Sequence, residues 1–204
     1  MISSVITGVF AVSYLLITAW LCRKIKFSVR DLSFGGVITA LTLVLASIRI
    51  PLPTGSNITC CSWIPLMILA LVCDYRLSMV TGWVCGILVM FLLPGWEAVH
   101  WAQIFVQQLV CFSCLGYAGV FGGDRRWKVL CGVCLAVVIR IVAHVLSGVV
   151  FYSQNAWDGW GAWGYSLAFN LSSRLPEGIL SIIIVMVLPL HLLRRAVRAK
   201  GETV

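Results

Sequence analysis

Five polar side chains interrupt two neighbouring apolar segments of this chain. They are Arg140, His144, Tyr152, Tyr165 and Asn170. A polar group of this kind is costly when it lies unpaired in hydrocarbon. Together these side chains can donate and accept hydrogen bonds and can stack on a ring. We therefore interpret the five residues as parts of a ligand-binding site or of a conduction path within a membrane.

The spacing of the polar residues predicts shared helix faces. Arg140 and His144 are four residues apart, and Tyr152 follows His144 by about two helical turns. Gln103 and Gln107 share a face of the preceding apolar segment in the same way. A purely structural interpretation stays open, because buried polar side chains also join helices through hydrogen bonds. The site interpretation is favoured, since polar groups recur at a similar depth in three segments.

The last apolar segment adds further polar groups. Asn170, Ser173 and Glu177 recur at helical spacing. Arg174 is expected to pair with Glu177 or with Asn170, and such a pair could be purely structural. Pro176 is expected to bend or break this helix locally.

The composition is that of an integral membrane protein. Of 204 residues, 61% are hydrophobic and 11% are charged, whereas soluble domains carry about 25% charged residues. The mean hydropathy is +1.02. The net charge of +8 could suggest nucleic acid as a partner, but the basic residues cluster between or after apolar segments. We interpret these clusters as cytoplasmic loops that also attract membrane lipid, and we expect no nucleic-acid partner.

Seven apolar segments are predicted to span the membrane, because one crossing needs about 20 apolar residues. Basic residues follow the first, third, fifth and seventh segments. This pattern predicts a multi-pass protein of the cell (plasma) membrane with the amino terminus outside and the carboxyl terminus in the cytoplasm. The predicted segments are 3–22, 32–50, 59–75, 77–93, 97–122, 128–152 and 164–193. Residues 1–30 are predicted to form an N-terminal helix with a basic loop. Residues 31–193 are predicted to form a membrane domain, and residues 194–204 a basic tail.

Two Cys-x-x-Cys pairs raise the question of a metal site. Cys111 and Cys114 form one pair, and Cys131 and Cys134 form the other. This spacing is typical of zinc sites in soluble proteins. Here both pairs lie in apolar segments, where cysteine packs as a small apolar residue. We therefore predict no metal site and no cofactor.

Residues 144–170 are similar to the corresponding part of the ThiT-like substrate-binding (S) components of energy-coupling factor (ECF) transporters. The resemblance covers roughly residues 32–193, with support from segments 53–59, 82–86, 103–105 and 115–121. It implies an all-α integral membrane protein with a six-helix S-component core, to which the first helix is an extra N-terminal transmembrane helix. It also implies a binding protein rather than an enzyme. Such a protein captures thiamine outside the cell, and an ECF transmembrane coupling protein with two ABC ATPases energises import.

The resemblance implies roles for individual residues. His144, Tyr165 and Asn170 match positions that contact an aminopyrimidine ring. Arg140 matches a basic residue below the site, and Tyr152 matches a tryptophan that stacks on a thiazolium ring.

Three positions depart from the family pattern. Gln107 and Gln108 stand where the family has an acid followed by tyrosine, and Ser56 lies near the position of a tryptophan. Glu97 and Asp158, at the rim, are the remaining acids near the expected site. The expected ligand is therefore thiamine or a thiamine-related pyrimidine, and we include Gln107, Gln108 and Ser56 among the expected substrate-binding residues.

Gly36 and Ala40 form a small-xxx-small pattern in the second segment. Such a pattern permits close approach of another helix. The resemblance implies that this surface docks onto the coupling protein.

Two other functions stay open on the sequence alone. A self-sufficient secondary transporter or channel for a small heterocycle would need an ion-coupling site, for which Glu177 is the candidate. An intramembrane hydrolase would need Ser147 or Ser173 as nucleophile beside His144, but the sequence has neither a G-x-S-x-G nor an HExxH motif. It also has no GxxxxGK[ST] phosphate loop, so we predict that ATP hydrolysis belongs to partner proteins.

Overall fold

The computed structural model describes residues 2–93 and 99–199, without the side chains of residues 198 and 199. Glu97, a predicted rim acid, lies outside the described residues, as do residues 200–204 of the predicted tail.

Helices make up most of the described chain. The helices are α1 (Ile2–Cys22), α2 (Val29–Ser47), α3 (Ile64–Val72), α4 (Tyr75–Leu92), α5 (Trp101–Gln103), α6 (Cys111–Ser113), α7 (Arg126–Phe151), α8 (Ala162–Val187) and α9 (Leu190–Ala199). A π-helix, Ile104–Val110, joins α5 to α6, and 3₁₀ helices cover Cys114–Gly119 and Ser153–Asn155. The short strands are β1 (Arg49–Pro51) and β2 (Asn57–Thr59). We call residues 101–119 the composite helix.

Five helices of the described chain are long and apolar enough to cross a membrane, namely α1, α2, α4, α7 and α8. They correspond to the first, second, fourth, sixth and seventh predicted segments. The bounds of the third and fourth predicted segments, 59–75 and 77–93, predict a tight connection, and this is confirmed because α3 ends at Val72 and α4 begins at Tyr75. The Asp74 carboxylate caps α4 by accepting a hydrogen bond from the backbone N–H of Arg76, at 2.6 Å.

The predicted third span, 59–75, is wrong in its length. Helix α3 has nine residues, which reach about 14 Å, less than half of a bilayer core of about 30 Å. Thr59 belongs to β2 and is paired with Arg49 of β1, and Cys61 has a φ of 58°. That left-handed conformation ends any regular structure before the helix. Leu66 and Met67 in α3 are fully buried, so this short helix packs inside the bundle.

The composite helix replaces the predicted continuous fifth span, 97–122. Two glycines of α4 allow the composite helix to pack closely against α4. A Cβ atom at Gly82 would lie 2.6 Å from the carbonyl oxygen of Phe112, and one at Gly86 would lie 2.4 Å from that of Gln108. Only glycine permits this approach of two backbones. The π-helical turns at the contact carry Gln107 and Gln108, and single π-helical insertions are frequent at functional sites.

A β-hairpin follows α2 and covers the connection between the second and third predicted segments. Strands β1 and β2 are antiparallel, with Arg49 opposite Thr59 and Pro51 opposite Asn57. Gly55 in the turn has a φ of 84°, a conformation that favours glycine. The hairpin folds the chain back and brings β1 and β2 to the same end of the bundle.

Helix α1 packs against the rest of the bundle through one face. Its buried residues recur every three or four positions: Thr7, Ala11, Tyr14, Thr18 and Cys22. The Tyr14 hydroxyl is hydrogen-bonded to Ser113 Oγ at 2.9 Å, and Thr18 Oγ1 to the Tyr117 hydroxyl at 3.3 Å. The helix is therefore joined to the composite helix by polar as well as apolar contacts.

Helices α8 and α9 complete the bundle. Helix α8 continues through Pro176, so it is not broken there. In α9, Arg194 donates hydrogen bonds to the backbone carbonyls of Leu71 and Gly123, at 2.8 and 2.6 Å. These bonds attach α9 to the end of α3 and to the loop before α7.

Candidate functional site

A polar cavity of about 160 Å³ lies where α2, the hairpin, α4, the composite helix, α7 and α8 meet. Its apolar lining is small: Ala46, Val89, Leu93 and Phe112. Its polar lining is Arg49, Asn57, Thr59, Ser62, Gln107, Gln108, Arg140, His144 and Arg174. Ligand sites usually concentrate a few convergent polar groups in such a cavity. The structure thus brings together four of the predicted site residues, Gln107, Gln108, Arg140 and His144.

The glutamines are positioned by the π-helix and by Gln103. Gln103 is fully buried, and its Nε2 donates to Gln107 Oε1 at 2.6 Å and to the Tyr152 hydroxyl at 2.5 Å. Its Oε1 accepts from the backbone N–H of Val99 at 2.9 Å. Gln108 is 3% exposed, and its Oε1 makes no hydrogen bond with a described residue. Gln103 therefore holds the side chains of Gln107 and Tyr152 in place, whereas the amide oxygen of Gln108 remains available as a hydrogen-bond acceptor.

His144 and Arg140 lie on the face of α7 that borders the polar cavity, as their spacing predicts. His144 is buried, and neither of its ring nitrogens is hydrogen-bonded to a described residue. A neutral imidazole offers one donor and one acceptor. His144 can thus form two hydrogen bonds with the edge of a heterocycle.

Arg140 lies deeper in the same wall. Its guanidinium carbon is 4.7 Å from the ring centre of Trp63 and 4.8 Å from that of Phe112. Its Nη1 donates to the backbone carbonyl of Cys111. The two rings hold the guanidinium by cation–π attraction.

Arg174 forms an ion pair with Glu177, one of the two partners expected for it, with 3.7 Å between Nη1 and Oε2. Glu177 is 1% exposed, and its Oε1 accepts hydrogen bonds from the hydroxyls of Thr59 and Ser62, the latter at 3.3 Å. The carboxylate therefore joins α8 to the end of the hairpin and the residues before α3.

The other predicted site residues lie outside the described lining of the polar cavity. Asn170 Nδ2 donates to the carbonyl of Ser166 at 2.9 Å, within the interface of α7 and α8. The Tyr165 ring contacts Trp157 edge-on, with 5.2 Å between ring centres. Ser56 is buried and hydrogen-bonded to Thr54 Oγ1 at 2.7 Å. Tyr152 follows the end of α7, Tyr165 lies near the start of α8 and Ser56 lies between β1 and β2.

Four lining residues were not predicted: Arg49, Asn57, Thr59 and Ser62. Three of them belong to the hairpin: Asn57 lies in the predicted connection, and Arg49 and Thr59 lie at the ends of the predicted segments on either side of it. Arg49 offers the clearest signal, because it is a basic residue next to a connection that otherwise carries none. Asp158, the other predicted rim acid, is exposed in the loop before α8.

The cysteine pairs do not gather into a metal site among the described residues. The thiols of Cys111 and Cys114 donate to the carbonyls of Val106 and Cys111 in their own helix, at 3.4 and 3.2 Å. Cys131 is exposed.

The geometry does not support the hydrolase alternative. Ser147 is fully buried, and its hydroxyl is not hydrogen-bonded to His144 or to any other described residue. The Ser173 hydroxyl donates to carbonyls of its own helix, at 3.4 Å. A serine nucleophile needs a hydrogen bond to its base, so neither serine is activated by His144 in this structure.

Comparison with known proteins decides the family. A family model described as Thiamine transporter protein (Thia_YuaJ) matches residues 32–196. The chain belongs to this thiamine transporter family. The matched region contains the polar cavity and begins within α2, so α1 precedes it.

Individual relatives agree with the family model. The Thiamine transporter ThiT of Bacillus subtilis (strain 168) is 27% identical over 167 residues, which cover 74% of this chain and 86% of the relative. The Thiamine transporter ThiT of Lacticaseibacillus paracasei is 27% identical over 139 residues, which cover 61% of this chain and 69% of the relative.

A solved structure of ThiT from Listeria monocytogenes has the same fold. The TM-score is 0.65 at 21% sequence identity, and the match covers 82% of this chain and 95% of the Listeria chain. The predicted fold class, an all-α membrane protein of the ThiT type, is therefore confirmed.

Proposed function

We propose that this chain is the substrate-binding component of an importer for thiamine or a thiamine-related pyrimidine. The observation that carries the proposal is the polar cavity, where Gln108 and His144 retain hydrogen-bonding groups inside a bundle of the thiamine transporter family. An aminopyrimidine presents alternating donors and acceptors along its edge. Amide and imidazole groups can pair with both kinds.

The proposed recognition divides the ligand between two regions. Gln107, Gln108 and His144 bind the pyrimidine edge within the polar cavity. Tyr152 and Tyr165, at the outer ends of α7 and α8, enclose the rest of the ligand by stacking. The cavity volume, about 160 Å³, is below the roughly 300–1,000 Å³ of typical ligand sites. A two-ring ligand therefore requires the side chains around the cavity to move outward.

Asn170 would enter the site through a change of hydrogen-bond partner. Its present bonds to the Ser166 carbonyl and to Ser166 Oγ, at 2.9 and 3.2 Å, stay within α8. Its Nδ2 lies next to Gly148, which belongs to the same buried face of α7 as His144. Rotation of the side chain towards α7 would let the amide bind the ligand beside His144.

The energy for import is proposed to come from partners, namely a transmembrane coupling protein and two ABC ATPases. The surface proposed to dock onto the coupling protein is an apolar groove of about 510 Å³ between α2 and α4. Gly36 and Ala40 line this groove and are exposed, and a Cβ atom at Gly36 would contact nothing within 4 Å. A partner helix could approach closely there, because small side chains keep the backbone accessible.

Gly36→Trp is expected to abolish co-purification with the coupling protein and ATP-dependent uptake, while thiamine binding by the isolated protein is retained. Val37→Trp is the matched control, because Val37 is also exposed on α2 but does not line the groove. Equal loss of uptake in both variants, or uptake that persists without ATPase partners, would contradict this docking surface.

The proposed orientation places the amino terminus outside and the carboxyl terminus in the cytoplasm of the cell membrane. The basic residues of the loop before α2, of the loop before α7 and of α9 support it, since basic segments stay on the cytoplasmic side. Exposed basic side chains of α9, such as Arg195, would then contact anionic lipid.

The ligand proposal is tested by titrating the detergent-purified protein with thiamine and recording tryptophan fluorescence. Trp63 beside Arg140 and Trp157 beside Tyr165 are the expected reporters. We expect a saturable change with thiamine or with its free pyrimidine moiety, and none with the thiazole moiety. Absence of a response to both thiamine and the pyrimidine would overturn the proposed function.

A further inference from the structure

Helix α1 lies outside the region that the family model matches, yet it contacts the helix that carries part of the candidate site. The matched region is residues 32–196, and α1 precedes it. Ala11 and Tyr14 of α1 belong to the same buried core as Val106 and Val110 of the π-helix. The buried face of α1 therefore packs directly on the π-helix.

A chain of two hydrogen bonds leads from α1 to the π-helix. The Ser113 hydroxyl donates to the backbone carbonyl of Leu109 at 2.5 Å, and Ser113 Oγ lies 2.9 Å from the hydroxyl of Tyr14. A serine hydroxyl has a single proton to donate. Because Ser113 donates that proton to the carbonyl, the Tyr14 hydroxyl donates to Ser113 Oγ. Tyr14 and Ser113 are both buried, so both bonds lie in surroundings of low dielectric constant, where they are strong.

These bonds meet the π-helix at the residue that follows Gln108. A serine that bonds to the carbonyl four residues before it often bends its helix, and Ser113 stands in this relation to Leu109. The adjacent carbonyl, that of Gln108, packs against Gly86 of α4. Two successive carbonyls of the π-helix are thus held, one by α1 through Ser113 and the other by α4.

The type of helix decides where the Gln108 side chain lies. A π-helix closes its hydrogen bonds one residue further along the chain than an α-helix. Conversion to an α-helix would rotate this side chain by up to about 100°, the angle between successive α-helical residues, and would turn it away from the polar cavity that it lines. Gln107 is also held by Gln103 at 2.6 Å, whereas the Gln108 amide oxygen has no hydrogen bond to a described residue. The position of Gln108 therefore depends on the backbone of the π-helix.

We propose that α1 positions the ligand site, and that Tyr14, acting through Ser113, holds the π-helix in the register that directs Gln108 into the polar cavity. The inference rests on the proposed function, in which Gln108 binds the ligand. Tyr14 is a positioning residue, because it is not among the described residues that line the polar cavity. Its effect on the ligand is exerted through the π-helix.

The test compares two substitutions of similar size, one turn apart on α1. Tyr14→Phe removes the hydroxyl that is bonded to Ser113. Thr18→Val removes a hydroxyl that is bonded to Tyr117 at 3.3 Å, in the 3₁₀ helix beyond the π-helix. Both substitutions should lower the thermal midpoint of the detergent-purified protein. Only Tyr14→Phe should weaken the binding of thiamine or of its free pyrimidine moiety, by about three- to tenfold, the usual effect of one hydrogen bond.

A double-mutant cycle identifies the residue through which Tyr14 acts. Once Gln108→Ala has removed the glutamine side chain, Tyr14→Phe should have no further effect on the dissociation constant. Ser113→Ala should reproduce the effect of Tyr14→Phe, and the two substitutions together should not weaken binding more than either one. The Ser113 variant also keeps the test decisive if Tyr14→Phe does not fold.

Three results would count against these proposals. Equal loss of affinity in Tyr14→Phe and Thr18→Val, or an undiminished effect of Tyr14→Phe beside Gln108→Ala, would overturn the inference, because α1 would then only stabilise the fold. Unchanged affinity in both Tyr14→Phe and Ser113→Ala would overturn the inference and leave the proposed function standing. Failure of the unmodified protein to bind either thiamine or the pyrimidine would overturn the proposed function as well.

Discussion

His144→Ala is expected to weaken ligand binding roughly 10- to 100-fold, because it removes hydrogen bonds worth about 1–3 kcal/mol in a buried site. His144 lines the polar cavity and has no described hydrogen-bond partner that would compete with the ligand. The measurement is the dissociation constant of thiamine, or of the pyrimidine if that binds more tightly, by tryptophan fluorescence titration.

Ser147→Ala is the matched control for this prediction. Ser147 lies less than one turn from His144 on α7, is fully buried, and does not line the polar cavity. Its replacement should leave the dissociation constant unchanged, whereas a hydrolase that used Ser147 would lose activity. Similar affinities for His144→Ala and the unmodified protein would show that the ligand binds elsewhere.

Glu177→Ala is expected to destabilise the protein by about 3–5 kcal/mol, the usual cost of removing one partner of a buried ion pair. The substitution leaves the Arg174 guanidinium without its carboxylate and deprives the hydroxyls of Thr59 and Ser62 of their acceptor. For a chain of this size the thermal midpoint should fall by roughly 10 °C. The measurement is thermal unfolding of the detergent-purified protein.

Asp124→Asn is the matched control for charge removal. Asp124 forms an exposed ion pair with Lys128 at 3.1 Å, and the hydrogen bond from Lys128 lowers the pKa of the Asp124 carboxyl. Exposed pairs contribute little to stability because water screens them. The thermal midpoint should therefore stay unchanged. Equal midpoints for Glu177→Ala and Asp124→Asn would mean that the buried network does not stabilise the hairpin against α8.

Local features of the sequence were sufficient for the long helices and for part of the site. Runs of about 20 apolar residues predict a membrane crossing whatever the rest of the chain does, and α1, α2, α4, α7 and α8 follow from them. The shared face of Arg140 and His144 follows from helical spacing alone. The same spacing left Arg174 two possible partners, Glu177 and Asn170.

Contacts between distant parts of the chain decided the rest. The π-helix that carries Gln107 and Gln108 packs against Gly86, which no local pattern near residue 107 reveals. Pairing between the two strands sets the register of the hairpin, and this register places Arg49 and Asn57 at the cavity.

The sequence by itself thus determined that this is a helical membrane protein with polar groups at membrane depth, since hydropathy and helical spacing are local properties. Only the tertiary structure decided which polar groups share a cavity. It placed Arg140 and His144 beside the glutamines, kept Asn170 within the interface of α7 and α8, and paired Glu177 with Arg174. The physical reason is that a buried polar group takes the partner that close packing brings within hydrogen-bond distance, and that packing involves residues far apart in the chain.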